Sequence, residues 1–117
     1  MKQLKNIAFT LLAITALISC KSDRLPEGIL NEEQMVDFLT DAHLLESYYS
    51  ITTNFHYEER AAEIAASYDE LFEKHHTTRA IVDSSRSYYL HHPDLYNDIY
   101  EQVLDRIVEK ANDLKKN

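Results

Sequence analysis

"NEEQMVDFLTDAHLLESYY", residues 31–49, decides the fold class of this chain. Asn31 stands three residues before Gln34. At that spacing the Asn side chain can accept from the Gln34 amide while the Gln side chain reaches back to the Asn31 amide. Met35, Phe38, Leu39, Ala42, Leu45 and Tyr49 then recur at intervals of three and four. On a helix with about 3.6 residues per turn they form one apolar stripe. The pattern fails near "SITTN", residues 50–54, where β-branched residues and Asn lower helix propensity.

The same period returns three times toward the C-terminus. From Tyr57 to His75, the residues Ala61, Ile64, Ala65, Tyr68, Leu71 and Phe72 share one face, and Glu58, Glu59, Glu63 and Asp69 the wet side. "HHTT" at 75–78 interrupts it, with Thr77 or Thr78 placed to cap a shorter helix running to about Leu90. That helix has a weaker face of Ile81, Val82, Ser85, Tyr88 and Tyr89. "HHPD" at 91–94 interrupts again, since Pro93 cannot continue a helix, and Asp94 suits the cap of the next. Tyr96, Ile99, Tyr100, Val103, Ile107 and Leu114 mark the last stripe, widened by Leu104, Val108 and Ala111. Lys115 and Lys116 follow where the helix dipole favours cations. The expected fold is therefore all-α, a small bundle of three to four helices over residues 31–117.

Composition agrees. One Gly, two Pro and no Trp leave few turn formers, and a 44% hydrophobic, 27% charged balance excludes a disordered chain. A length of 117 residues accommodates one domain. A bundle this small buries roughly 60–65% of its unfolded surface, enough for a core but too little to enclose a deep pocket as well.

The N-terminus reads in three zones. "MKQLKN" is basic, "IAFTLLAITALI" is an uncharged apolar run, and Ser19 precedes Cys20, the only cysteine. Residues 1–19 thus have the layout of a signal peptide, and the run falls short of the ~20 residues a membrane span needs. Leu17-Ile18-Ser19-Cys20 resembles the bacterial lipoprotein processing box. The resemblance implies a diacylglyceryl thioether on Cys20, cleavage before it and acylation of the new amino group. Several chains at ~0.8 kcal/mol per buried CH₂ hold where one chain would exchange. An ordinary secretory signal with a cysteine near its cleavage site is the other reading. Lys21 after the cysteine favours the outer membrane by resemblance to lipoprotein sorting. A lone Asp23 between cations leaves periplasmic and surface facing open. Residues 20–30, the lipidated cysteine and "KSDRLPEGIL", read as a tether extending up to roughly 30 Å.

The net charge is −8, and −10 once Lys2 and Lys5 leave with residues 1–19. Such a body repels phosphate backbones and anionic headgroups, so no nucleic-acid partner is expected. Six histidines raise the question of a metal. His75-His76 and His91-His92 sit at helix ends, neighbouring residues on a helix diverge by ~100°, and Glu73 to His76 is a single Glu-x-x-His where a di-iron bundle needs two. These histidines read as closures of helix C-termini, with no metal or cofactor expected. His43 and Glu46 are neighbours on the first helix and Asp41 diverges from them, the pattern of a surface hydrogen bond rather than a general base. Ser84-Ser85 lack a glycine-rich elbow and lipid would block the thiol, so no nucleophile stands out and no enzyme is expected. Of eight tyrosines, Tyr48, Tyr49, Tyr88, Tyr89, Tyr96 and Tyr100 fall where they can line one side of the bundle. They serve there either as core rings with hydroxyls at the rim or as a partner surface.

"LPEGIL" with Met35, "DAHLLE" from Asp41, "YDELFEKHH" from Tyr68, "SSRSYYLHHPDL" from Ser84 and "IYEQVL" from Ile99 follow one another in this order. In that succession the chain resembles the envelope lipoproteins grouped as domain of unknown function 4296. Members often carry Gly where His76 stands and an aromatic where Val82 stands. The resemblance implies a lipid-anchored helical domain in a Gram-negative envelope, and no catalytic residues carry over. The expected function is a non-enzymatic outer-membrane lipoprotein. It would dock on a larger envelope assembly for outer-membrane protein insertion, secretion or uptake. A chaperone-like or small-ligand-binding periplasmic module is the alternative, and it requires an exposed apolar groove between helices.

Overall fold

The computed structural model describes residues 24–53 and 56–116; the expected signal peptide, Cys20 and residues 21–23 lie outside the described residues. Among the described residues four helices follow in order: α1 (Glu32–Thr52), α2 (Ala61–Lys74) behind a one-turn 3-10 segment (Tyr57–Arg60), α3 (Arg79–Leu90) and α4 (Pro93–Lys116). The protein is a small all-α bundle, with no strand among the described residues.

Local chemistry sets the helix ends. The capping box at Asn31 is complete: Gln34 N donates to Asn31 Oδ1 and Asn31 N to Gln34 Oε1, both at 2.9 Å. Thr53 Oγ1 donates to the Tyr49 carbonyl at 2.6 Å where α1 stops. Thr78 caps α3 by accepting from Ile81 N at 3.3 Å. The start of α4 corrects the expectation for Asp94. Pro93 is already the first helical residue, a position whose amide has no partner to lose. Asp94 therefore lies inside the first turn, with its charge at the positive end of the dipole.

The end of α2 is tighter than its sequence announces. His76 N donates to the Glu73 carbonyl and Thr77 N to the Phe72 carbonyl, both at 3.0 Å. That pair of reversed bonds places His76 in the left-handed region, at φ 50°. Glycine adopts this conformation freely, whereas a side chain costs roughly 1–2 kcal/mol there. His76→Gly is expected to raise stability by about 1 kcal/mol, a gain of about 4–8 °C in a melt followed by circular dichroism. An unchanged or lower Tm would show that His76 is not strained.

Helices α1 and α2 form an antiparallel hairpin. Phe38 stacks on Phe72 with centroids 5.6 Å apart, Asp41 meets Lys74, Glu46 meets Tyr68, and Tyr49 meets Ser67. The core centres on α1, whose Met35, Val36, Phe38, Leu39 and Ala42 meet Leu71 of α2, Val82 and Tyr89 of α3, and Ile99 and Val103 of α4.

Leu30 belongs to that cluster too, and Ile29 packs against it, so the last two residues of the expected tether are part of the folded domain. A residue outside any helix has no ladder for its backbone groups, and burial demands partners for both. Ser85 and Tyr89, one turn apart on α3, supply them. Leu30 N donates to Ser85 Oγ at 2.8 Å, and Tyr89 Oη donates to the Leu30 carbonyl at 2.9 Å.

Two apolar stripes stay partly uncovered. On α2 only Leu71 is buried, while Ala61 and Ala65 are exposed and Ile64 is half-buried. On α4, Leu114 is 80% exposed rather than core, and Leu104 and Val108 face solvent. Periodicity fixes which side of a helix is apolar but not whether a neighbour reaches it. Here α1 stops at Thr52, and α4, at 24 residues, is twice the length of the 12-residue α3.

Candidate functional site

The unburied start of α2 makes a groove against the C-terminal half of α1. Ala61, Ile64 and Ala65 line it from α2, Tyr57 from the 3-10 turn and Tyr49 from α1, around a cavity of about 650 Å³. Ala61 and Ala65, one turn apart, are too short to fill the space. The volume falls within the roughly 300–1,000 Å³ typical of small-molecule sites.

Arg60 braces one end. Its Nε donates to Glu63 Oε2 at 2.8 Å, its Nη2 pairs with Glu63 Oε1, and the guanidinium lies over the Tyr49 ring, 5.1 Å from the centroid. The guanidinium holds the Glu63 carboxyl below its ordinary range. Beneath it the hydroxyls of Tyr49 and Ser67 are 2.7 Å apart.

Glu46, Tyr68 and Arg79 line the other end. Tyr68 Oη donates to Glu46 Oε1 at 2.9 Å, while Glu46 Oε2 meets His43 Nδ1 at 3.1 Å. Burial first, then the carboxylate accepting its proton, pushes the Tyr68 hydroxyl up to about 12. Arg79 is different. Its guanidinium sits over the Phe72 ring at 5.4 Å and makes no hydrogen bond or ion pair among the described residues.

A second constellation, at the end of α2 and not its start, is structural. Asp41 Oδ2 accepts from Lys74 Nζ at 2.8 Å and meets His75 Nε2 at 3.0 Å, and Oδ1 accepts from Lys110 Nζ at 2.8 Å. Arg106 pairs with Asp37 one turn away. Burial raises the Asp41 pKa, but the hydrogen bonds from Lys110, Lys74 and His75 outweigh it and hold the carboxyl well below its usual range. A carboxylate so firmly ionised is a poor proton acceptor; its role is to clamp α1, α2 and α4 together.

His43, His91 and His92 act as their spacing implies. His43 pairs with Glu46 on the helix surface. His91 and His92 donate through Nδ1 to the carbonyls of Ser87 and Tyr88 at 2.8 and 2.7 Å, closing the end of α3. Among the described residues no three His, Cys, Asp or Glu side chains converge as a ligand set, and no helix is long and apolar enough to cross a membrane.

The six singled-out tyrosines do not form one surface. Tyr49 and Tyr89 are 4% and 0% exposed, with hydroxyls committed to Ser67 and the Leu30 carbonyl, which removes both from any partner face. Tyr48 is exposed, and Tyr88, Tyr96 and Tyr100 are half-buried, Tyr96 and Tyr100 edge-to-face at 4.8 Å. Adjacent helical residues diverge, so one member of each doublet enters the core and the other stays at the rim. The small-ligand alternative requires an apolar groove between helices, but the sequence does not assign its lining residues. The available signal was Ala61 and Ala65, small residues one turn apart on a face otherwise assigned to packing.

Fold and site define a small helical bundle with an open apolar groove, an internal charge clamp and histidines that serve as helix ends. The chain belongs to the family described as Domain of unknown function (DUF4296), whose family model matches residues 26–113. No curated protein and no solved structure matches it.

Proposed function

We propose that this protein is a non-enzymatic envelope lipoprotein, held at the outer membrane by lipid on Cys20, whose helical domain docks on a larger membrane assembly. The layout of residues 1–20 supports the anchor, and the observation that carries docking is α4. Leu104 and Val108 are 60% and 58% exposed, and Ala111 continues their stripe toward Leu114. An uncovered apolar stripe at intervals of four and three is the surface a partner helix covers. The acidic domain fits a protein partner better than nucleic acid or anionic headgroups.

Leu104→Asp combined with Val108→Asp tests this reading, since both side chains are already solvated and the core is untouched. The double variant is expected to stay folded and membrane-bound but to lose co-purification with its assembly from gently solubilised membranes, by about tenfold or more. Recovery of the wild-type protein alone, while other envelope complexes survive, would count against docking. Mature protein without acyl mass on Cys20 would remove the anchor. The small-ligand reading has a different observation behind it, the groove between α1 and α2.

A further inference from the structure

We propose that the α1–α2 groove binds a small amphipathic anion, an apolar body bearing one carboxylate, with the carboxylate seated on Arg79. No residue of the α4 stripe lines this groove, so binding here does not depend on docking there.

Shape supplies the first argument. The groove is walled by Ala61, Ile64 and Ala65 and is open to solvent along α2, so an apolar body entering it displaces water from side chains the fold leaves uncovered.

Charge supplies the second. Two lining residues are ionised, Glu46 and Arg79. Glu46 already has both oxygens engaged, by Tyr68 and His43. Arg79 has no ion pair or hydrogen bond among the described residues, although the chain carries 20 acidic side chains against 12 basic ones. Stacking over Phe72 holds the guanidinium in place and leaves its fork free. A planar, fixed fork matches a carboxylate with two parallel hydrogen bonds, and it is the unmatched charge of the groove. A cationic ligand would meet the opposite arrangement, a free cation and an acid already engaged. An uncharged ligand would leave the fork unused.

The test uses the full chain in phosphatidylcholine nanodiscs, with isotopically labelled Ile and Ala methyl groups read by nuclear magnetic resonance. Phenylbutyrate and its uncharged counterpart phenylbutanol are titrated in parallel. Phenylbutyrate is expected to shift the Ile64 and Ala65 methyl signals saturably and to bind about tenfold tighter than the alcohol. Arg79→Gln is expected to bring the two affinities together while leaving core methyl signals such as Ile99 in place. The absence of a saturable shift at Ile64 with either compound would overturn the proposal. So would equal affinities in the wild-type protein, a comparison that needs no variant. An acid preference that survives Arg79→Gln would overturn the assignment to Arg79.

Discussion

Tyr89→Ala is expected to remove most of the stability of the domain. Tyr89 is the largest fully buried side chain among the described residues, its ring lies edge-on to Tyr88 with centroids 5.2 Å apart, and its hydroxyl is the donor to the Leu30 carbonyl. Burial raises the pKa of that hydroxyl, which keeps its proton for the bond. Truncating a buried aromatic costs about 3–5 kcal/mol, and an orphaned buried carbonyl adds about 1–3 kcal/mol. Against a typical total of about 5–15 kcal/mol the variant is close to unfolded at room temperature. A fall in Tm of about 15 °C or more, or no cooperative melt at all, is expected by circular dichroism. Tyr89→Phe isolates the hydroxyl and is expected to cost only the smaller part, about 1–3 kcal/mol. Equal effects of the two substitutions would show that the ring is not what holds α3 to the core.

Asp41→Asn is the second large effect, and its sign depends on pH. The folded-state pKa of Asp41 lies well below its ordinary value, so the ionised form is the one the fold favours. That contribution is complete above the unfolded pKa of about 4 and disappears as pH falls toward the lower folded value. Lys74 and Lys110 are 65% and 51% exposed and regain water when their partner changes, whereas His75 is 14% exposed and depends more on the carboxylate. Near neutral pH the variant is expected to lose about 2 kcal/mol in urea denaturation. At about pH 3 part of the difference should be gone, because the wild-type carboxyl begins to protonate as the chain unfolds. A deficit of constant size across that range would mean that shape, not charge, is what Asp41 contributes.

The elements that were legible from sequence are those whose causes lie within a few residues. Asn31 and Gln34 announced the start of α1, the break at "HHTT" placed the α2–α3 junction, and the histidines at 91 and 92 closed α3 as their position implied. The core stripe of α1 was equally plain, with Met35, Phe38, Leu39, Ala42 and Tyr49 all buried. The α2 stripe shows where that reading stops. Leu71 is core and Ala65 is groove, although both sit on the same apolar face. Asp41 diverges from His43 on the helix, and its partners Lys74, His75 and Lys110 lie 33 to 69 residues away in sequence.

The sequence alone determined that the domain is helical, about where its four helices lie, and which side of each is apolar, because propensity and period act between neighbours along the chain. Tertiary structure alone decided that Leu30 is core rather than tether, which tyrosine of each doublet is buried, and that Arg79 is left unpaired beside an open groove. Those outcomes depend on which helix stops short of covering another. That is a matter of lengths and packing in three dimensions, and no local pattern of residues records it.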